Sequence, residues 1–487
     1  MKVLKDILFG SSILEVVGNT DVEITNIVFD SRKATTGDCF FAQRGTQLDG
    51  HAFIDQVVAK GVKAVVCEEL PSQLVDGVCY VRVKDSSVSL AHAAANFYEY
   101  PSAQLKLVGV TGTNGKTTCA TLLYKLFSRL GYKAGLISTV VNKIGEEEIA
   151  STHTTPDVIS VNQLLSKMVA NGCTHVFMEV SSHGLVQHRV TGLTFSGGVF
   201  TNITHEHLDF HKTFKSYIAA KQQLFDMLPQ EAFALSNKDD KNGEVMLQNA
   251  IAKKHYYALK TQADFKVKLL ESNFSGLQLQ LDGQEFWSPL IGQFNAYNLA
   301  VVYATAVLLG EEKMKVLTVL SSLNAVAGRF QYLNVNQIIG IVDYAHSPDA
   351  LENVLKTIKD IRTGNEQVIT VVGCGGDRDR AKRPLMAQIA CKFSNRVILT
   401  SDNPRTENPD EIINEMKVGV EVSDRPKVLA ITQRGEAIRT AASLASPNDI
   451  ILVAGKGHET YQEINRVRNH FDDREELTNA LNEIHQS

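Results

Sequence analysis

The run Thr111-Gly112-Thr113-Asn114-Gly115-Lys116-Thr117-Thr118 has residue types arranged for chemistry. Glycines let backbone N–H groups close around phosphate oxygens, Lys116 adds a cation, and the Thr117 hydroxyl can reach Mg²⁺. The apolar stretch 105–110 before it reads as a buried strand and 119–130 after it as a helix, a unit built to hold a phosphate. A strict P-loop has glycine where this chain has Val110, so the general motif is matched in part. Kinases, switches, motors and ligases all use such loops; the loop alone indicates a nucleotide and leaves the reaction open.

The elements around it divide a chain of 487 residues, long enough for about three domains. Residues 1–101 mix short β-type runs, 23–29 and 64–67, with amphipathic segments, and Tyr100-Pro101-Ser102 closes that small α/β region. Strand candidates 175–178 and 197–200 and a helical stretch 294–309 fill a central domain over 102–328, expected to be a P-loop ATPase-like parallel sheet. In 329–487, apolar runs 338–342, 368–372 and 396–399 are each followed by a helix, as in a Rossmann-like domain. A fourth run, 450–453, leads into Ala454-Gly455-Lys456-Gly457-His458-Glu459. Loops leaving the carboxyl ends of parallel strands share one edge, so these four should converge on one ligand.

Hydrophobic residues make up 44% and charged residues 21%, a globular balance. A net charge of -5 excludes a globally basic surface for nucleic acid. Lys2, Lys5 and Asp6 interrupt the N-terminal apolar residues, and no uncharged apolar stretch is long enough to span a bilayer. The expectation is a cytoplasmic protein without membrane insertion. Its seven cysteines lie far apart and form no metal or disulfide pattern, so they are expected to be buried, reduced thiols.

Along with the phosphate loop, the chain carries Asp30-Ser31-Arg32, Thr154-Thr155-Pro156, Met178-Glu179-Val180-Ser181-Ser182-His183, and Thr201-Asn202-Ile203-Thr204 with His207. Further on come Ala220-Lys221, Gly292-Gln293-Phe294-Asn295 with Asn298, Gly328-Arg329 and Asp343-Tyr344-Ala345-His346. In this order they resemble the motifs of the Mur ligases over nearly the full length. The resemblance implies three domains and activation of a carboxylate by ATP before an amine attacks it.

Carried over residue by residue, it implies that Gly112, Thr113, Asn114, Gly115, Lys116, Thr117 and Thr118 hold ATP with Asn295, Asn298, Arg329 and Asp343. Glu179 and His207 resemble metal ligands, and Mg²⁺ is a hard cation suited to a carboxylate. Lys221 matches a family lysine carbamylated by CO₂, which turns a cation into a metal-binding carboxylate. Composition alone would make it a solvated helix lysine. Ser31, Thr46, Gln47, His153, Thr154, Thr155, Ser181, Gln187 and Arg189 resemble contacts to a UDP-linked muramoyl dipeptide. His153 stands where some relatives have Asn.

Asp402-Asn403-Pro404-Arg405 is similar to the signature of family members that add meso-diaminopimelate. That diamino acid has two zwitterionic ends. Arg405 and Arg378 can offer charge-assisted hydrogen bonds to its far carboxylate, while Asp402 and Glu459 can pair with the ammonium, with Gly455 beside them. Lysine lacks the second carboxylate and would leave the guanidinium unpaired, a loss that discriminates by roughly 10⁴-fold.

The resemblance therefore implies a monomeric ATP- and Mg²⁺-dependent ligase of peptidoglycan precursor synthesis, and so of cell-wall biogenesis, cell shape and division. It would add meso-diaminopimelate to the D-glutamyl γ-carboxylate of the dipeptide. A lysine-adding relative, a folylpolyglutamate synthetase and a nucleotide-dependent scaffold remain alternatives. The first domain with Asp30-Ser31-Arg32 disfavours the synthetase, and amine-dependent phosphate release would exclude the scaffold.

Overall fold

All residues of Lys106–Thr111 except the first are buried, as in a strand covered on both faces. It is an inner strand of a parallel array running Ala134–Ile137, His175–Glu179, Lys106–Thr111, Gly197–Phe200, Phe233–Asn237. An antiparallel hairpin, Val141–Ile144 with Glu147–Ala150, continues the array beyond Ala134–Ile137. The helix after the phosphate loop begins at Lys116 and runs to Arg129, three residues earlier than the apolar pattern suggests, because the loop lysine itself opens the first turn.

The computed structural model describes residues 1–45, 48–204, 206 and 208–483. They form two compact units. One holds Met1–Gly112, Cys119–Asn202 and Lys215–Tyr256; the other holds Thr113–Thr118, Ile203–Phe214 and Tyr257–Ser487.

In the first unit, a five-stranded sheet precedes the parallel array, in the order Ile13–Val17, Cys79–Val83, Ala64–Cys67, Cys39–Phe41, Ile27–Val28. The β-type run 23–29 is split into two strands of two residues, Glu23–Ile24 and Ile27–Val28, which join different sheets. Helix Ser86–Phe97, capped by the Asp85 carboxylate accepting the N–H groups of Ser87 and Val88, lays Leu90, Ala91 and Ala94 against that sheet.

The second unit has an antiparallel meander, Phe265–Asn273, Gly276–Leu281 and Gln284–Ser288, and the buried helix Gln293–Leu308. Its six-stranded sheet runs Gln331–Val335, Ile338–Asp343, Ile450–Ala454, Val368–Cys374, Arg396–Ser401, Val428–Ala430. All neighbours are parallel except the first pair. Alternate residues feed opposite cores: Ile341, Val372, Leu399 and Leu452 on one face, Val342, Val371, Ile398 and Val453 on the other. Ile450–Ala454 is the last of these parallel strands in the chain yet lies in the middle of the sheet, so connections diverge on either side of it. That is the switch point where open α/β sheets bind ligands.

All seven cysteines are buried. Among the described residues, no helix is long and apolar enough to cross a membrane.

Candidate active site

The phosphate loop is shaped by close backbone packing. Gly112 has φ +151, and a Cβ there would meet Thr201 Oγ1 at 1.8 Å, so only glycine fits. Thr113 Oγ1 accepts the Thr204 N–H at 3.0 Å, and Lys116 Nζ donates to the Thr113 carbonyl at 2.8 Å. Arg329 Nη2 donates to Thr117 Oγ1 at 3.2 Å, and its guanidinium carbon lies 4.6 Å from the Tyr344 ring centroid. Asp343, buried beside them, accepts the Phe330 N–H at 2.6 Å. Burial pushes its carboxyl up to about 6, although Arg329 pulls the other way. Asn295 and Asn298 are buried on the helix Gln293–Leu308, with Asn298 Nδ2 donating to Asn295 Oδ1 at 2.9 Å. In the other unit, Lys221 is buried and donates to the Gly112 carbonyl at 2.7 Å, with its ammonium 4.6 Å from the Tyr217 ring centroid.

Glu179, fully buried at the end of its strand, anchors a second group. Its carboxylate accepts the Thr139 N–H at 2.7 Å and the Thr139 hydroxyl at 3.2 Å. Thr139 Oγ1 also lies within hydrogen-bonding distance of Thr154 Oγ1, at 3.0 Å. Thr155 Oγ1 donates to the Glu179 carbonyl and accepts the Ser181 N–H, each at 2.9 Å. Ser181 then caps the helix Ser182–Val186 by accepting the Gly184 N–H. Arg189 donates to the Thr155 carbonyl and to Gln187 Oε1, both at 2.6 Å.

Thus Thr154, Thr155, Ser181, Gln187 and Arg189, separated by up to 35 positions in sequence, share one network with Glu179. His153 is exposed, its Nδ1 3.2 Å from Thr152 Oγ1, and stands outside that network. Ser31 lies apart, its carbonyl accepting Lys60 Nζ at 2.7 Å. Thr46, Gln47 and His207 lie outside the described residues.

At the carboxyl edge of the six-stranded sheet, the four loops meet. The Gly376 N–H donates to the Asn403 carbonyl at 2.9 Å, and the Gly455 N–H donates to the Asp343 carbonyl at 3.0 Å. Gly455, at φ +123, leaves room for Asp402: a Cβ there would stand 2.5 Å from the Asp402 carboxylate. Pro404 is buried, and Arg405 follows in the left-handed region at φ 52. Its N–H donates to the Glu463 carbonyl at 3.1 Å, and its Nη1 donates to the Gly376 carbonyl at 2.6 Å. The guanidinium is half-buried rather than fully enclosed. Asn403 Nδ2 donates to Glu459 Oε2 at 2.7 Å. Burial and the neighbouring Asp402 push the Glu459 carboxyl up. Arg378 is exposed and makes no hydrogen bond among the described residues, so its backbone shares the loop cluster while its side chain stands free of it.

Several residues that shape the site escaped the sequence reading. Thr139 sits in an ordinary Ser-Thr loop, so nothing signalled it. Arg383, fully buried, donates to Glu407, Glu415 and the Gly375 carbonyl, tying together the loops of Arg378 and Arg405. Arg434 bonds the carbonyls of Ser401 and Ala454, the last residues of two strands, and pairs with buried Asp473. Lys456, between Gly455 and Gly457, is fully buried. That flanking pattern was the one available signal.

Comparison with known proteins matches residues 23–105 to the Mur ligase family catalytic domain, 110–306 to the Mur ligase middle domain and 328–457 to the Mur ligase glutamate ligase domain. The chain is 58% identical to UDP-N-acetylmuramoyl-L-alanyl-D-glutamate--2,6-diaminopimelate ligase of Cytophaga hutchinsonii, covering 97% of each chain. It is 53% identical to the enzyme of the same name from Bacteroides fragilis, over 97% of this chain and 98% of the other. A solved structure of an enzyme with that name superposes with a TM-score of 0.71 at 33% identity, covering 100% of both chains.

Proposed function

We propose, from the premise that this chain belongs to the Mur ligase family, that it joins meso-diaminopimelate to the D-glutamyl γ-carboxylate of UDP-N-acetylmuramoyl-L-alanyl-D-glutamate, using ATP. The observation that carries the substrate choice is the loop cluster where a half-buried Arg405 guanidinium and the Asp402 and Glu459 carboxylates stand at one sheet edge. Opposite charges so arranged suit a ligand with both a carboxylate and an ammonium at its far end. Lysine would leave the guanidinium without its anion.

In the reaction, the γ-carboxylate oxygen attacks the γ-phosphorus of ATP, and the bond to the β-phosphate oxygen breaks to release ADP. The acyl phosphate then takes the neutral amine of diaminopimelate at its carbonyl carbon. The tetrahedral adduct expels inorganic phosphate, and the amine gives up its proton to leave an amide. Lys116 and the loop N–H groups neutralise the phosphate oxygens, and Arg329, Asp343, Asn295 and Asn298 hold the nucleotide. Thr154, Thr155, Ser181, Gln187 and Arg189, with Ser31, hold the UDP-linked substrate. Catalysis is mainly positioning and charge neutralisation.

Mg²⁺ requires hard oxygen donors, and by the family resemblance the Thr117 hydroxyl and the Glu179 carboxylate are the groups that would supply them. Lys221, buried and bonded to a carbonyl, would repel a dication as an ammonium. Carbamylation would convert it to a further oxygen ligand, with His207 completing the set. When bound, the ion supplies charge neutralisation at the phosphates. ATP and the UDP-linked dipeptide are both charged, water-soluble nucleotides, which suits the cytoplasmic location proposed for the enzyme.

The deciding experiment measures phosphate release with ATP, Mg²⁺ and the UDP-muramoyl dipeptide, adding either meso-diaminopimelate or lysine. Release that depends on diaminopimelate supports the reading. Preference for lysine rejects the substrate, and release independent of any amine rejects the ligase.

A further inference from the structure

Lys456 is fully buried, which is rare for a lysine and costly unless its charge is met. Its ammonium donates to Asn403 Oδ1 and to Glu459 Oε2, each at 3.2 Å, and lies 5.4 Å from the Tyr461 ring centroid. Asn403 Oδ1 also accepts the Glu463 N–H at 2.9 Å. With both donors on the oxygen, the amide can have only one orientation, and its Nδ2 is turned onto Glu459 Oε2 at 2.7 Å. One oxygen of Glu459 is thereby held by two donors, and Oε1 makes no hydrogen bond among the described residues.

Packing alone does not call for a cation here. A methionine would fill a similar volume without desolvating a charge. The charge balance does call for one: Asp402 and Glu459 are both largely buried and close enough that Asp402 disfavours ionisation of Glu459. Lys456 and Asn403 act in the opposite direction.

We infer that Lys456 is a positioning residue for amino-acid selection, holding Glu459 as an oriented anion whose free oxygen receives the far ammonium of the incoming diamino acid. This rests on the proposed amino-acid pocket at Arg405 and Glu459. Lys456 itself touches no substrate; it acts through Asn403 and Glu459.

The test compares two amines in the full-length enzyme. meso-Diaminopimelate carries the far ammonium, while 2-aminopimelate keeps both carboxylates and the nucleophilic amine but lacks it. Lys456→Met is expected to lower kcat/KM for diaminopimelate by about tenfold or more, through KM, with kcat within about threefold of the wild type. For 2-aminopimelate the same substitution is expected to change kcat/KM by less than about threefold.

Equal losses with both amines would mean that Lys456 only braces the loop, and no loss with either would mean that it is idle; both overturn the inference. Glu459→Gln is measured in parallel. If it leaves kcat/KM for diaminopimelate unchanged, the pocket itself is misassigned. If Glu459→Gln is damaging and Lys456→Met is not, the role of Lys456 alone is refuted. Should Lys456→Met not fold by circular dichroism, Lys456→Gln, which keeps a donor for Asn403 but no charge, carries the same comparison with the same expected values.

Discussion

Thr139 grips Glu179 twice, through its N–H at 2.7 Å and its hydroxyl at 3.2 Å, and the same hydroxyl reaches Thr154 at 3.0 Å. A carboxylate proposed to bind Mg²⁺ is thus oriented by a residue that also touches the proposed substrate-binding threonine. Groups that orient a metal ligand typically matter by about 10- to 100-fold. Thr139→Val keeps the shape and the N–H but removes the hydroxyl, so kcat is expected to fall by about tenfold, at the low end of that range. Steady-state phosphate release with unchanged circular dichroism checks it. An unaltered kcat would show that the backbone bond alone orients Glu179.

Arg405 is presented from a left-handed backbone position held by the Glu463 carbonyl, with one guanidinium nitrogen tied to the Gly376 carbonyl. The other donors remain for a ligand carboxylate. A hydrogen bond to a charged group contributes about 1.5–3 kcal/mol, so Arg405→Ala is expected to cost on the order of 10- to 100-fold in kcat/KM for diaminopimelate. Lysine turnover should change by less, because lysine has no far carboxylate to lose. Competition between the two amines measures the ratio, and equal losses would remove Arg405 from substrate choice.

The Arg434 and Asp473 side chains are both fully buried and bonded through two contacts of 2.7 Å. Asp473→Asn strands the guanidinium inside the sheet edge, which typically costs about 3–5 kcal/mol. Because Arg434 also bonds the carbonyls just before Asp402 and Gly455, the variant is expected to raise the KM for the amino acid as well. Denaturant titration and amine kinetics report the two effects separately. A stable variant with normal KM would contradict the bracing role.

Asp343 makes stability depend on pH in a defined direction. Its carboxyl titrates near about 6 in the fold against 3.8 for the free side chain, so between these values the folded chain holds a proton that the unfolded chain has lost. Stability from this group is therefore largest below pH 4 and declines as pH rises through 6, by about 3 kcal/mol in total. Asp343→Asn should flatten that decline. Melting midpoints of wild type and variant are expected to diverge between pH 4 and 7, with the variant the higher at pH 7; parallel curves would exclude the effect.

The strands of the last sheet were legible because burial on both faces writes continuous apolar runs: 338–342, 368–372, 396–399 and 450–453 each fall inside the strand observed. The run 23–29 misled for the opposite reason, since two very short strands in different sheets leave the same composition as one longer strand. Arg378 and Arg405 were indistinguishable as charges on converging loops. Yet one side chain is exposed and the other is tied back to Gly376.

Local order along the chain determined the phosphate loop, the strand-and-helix units and the edge where their loops gather, because glycine conformations and apolar periodicity act over a few residues. Only the folded molecule decided that Thr139 orients Glu179, that Arg434 pairs with Asp473 and that Lys456 steers Asn403. Those partners are 40, 39 and 53 positions apart. Polar contacts across such distances have no characteristic spacing, since whichever strands the topology makes neighbours set them. Burial then turns an ordinary threonine, arginine or lysine into a determinant of the site.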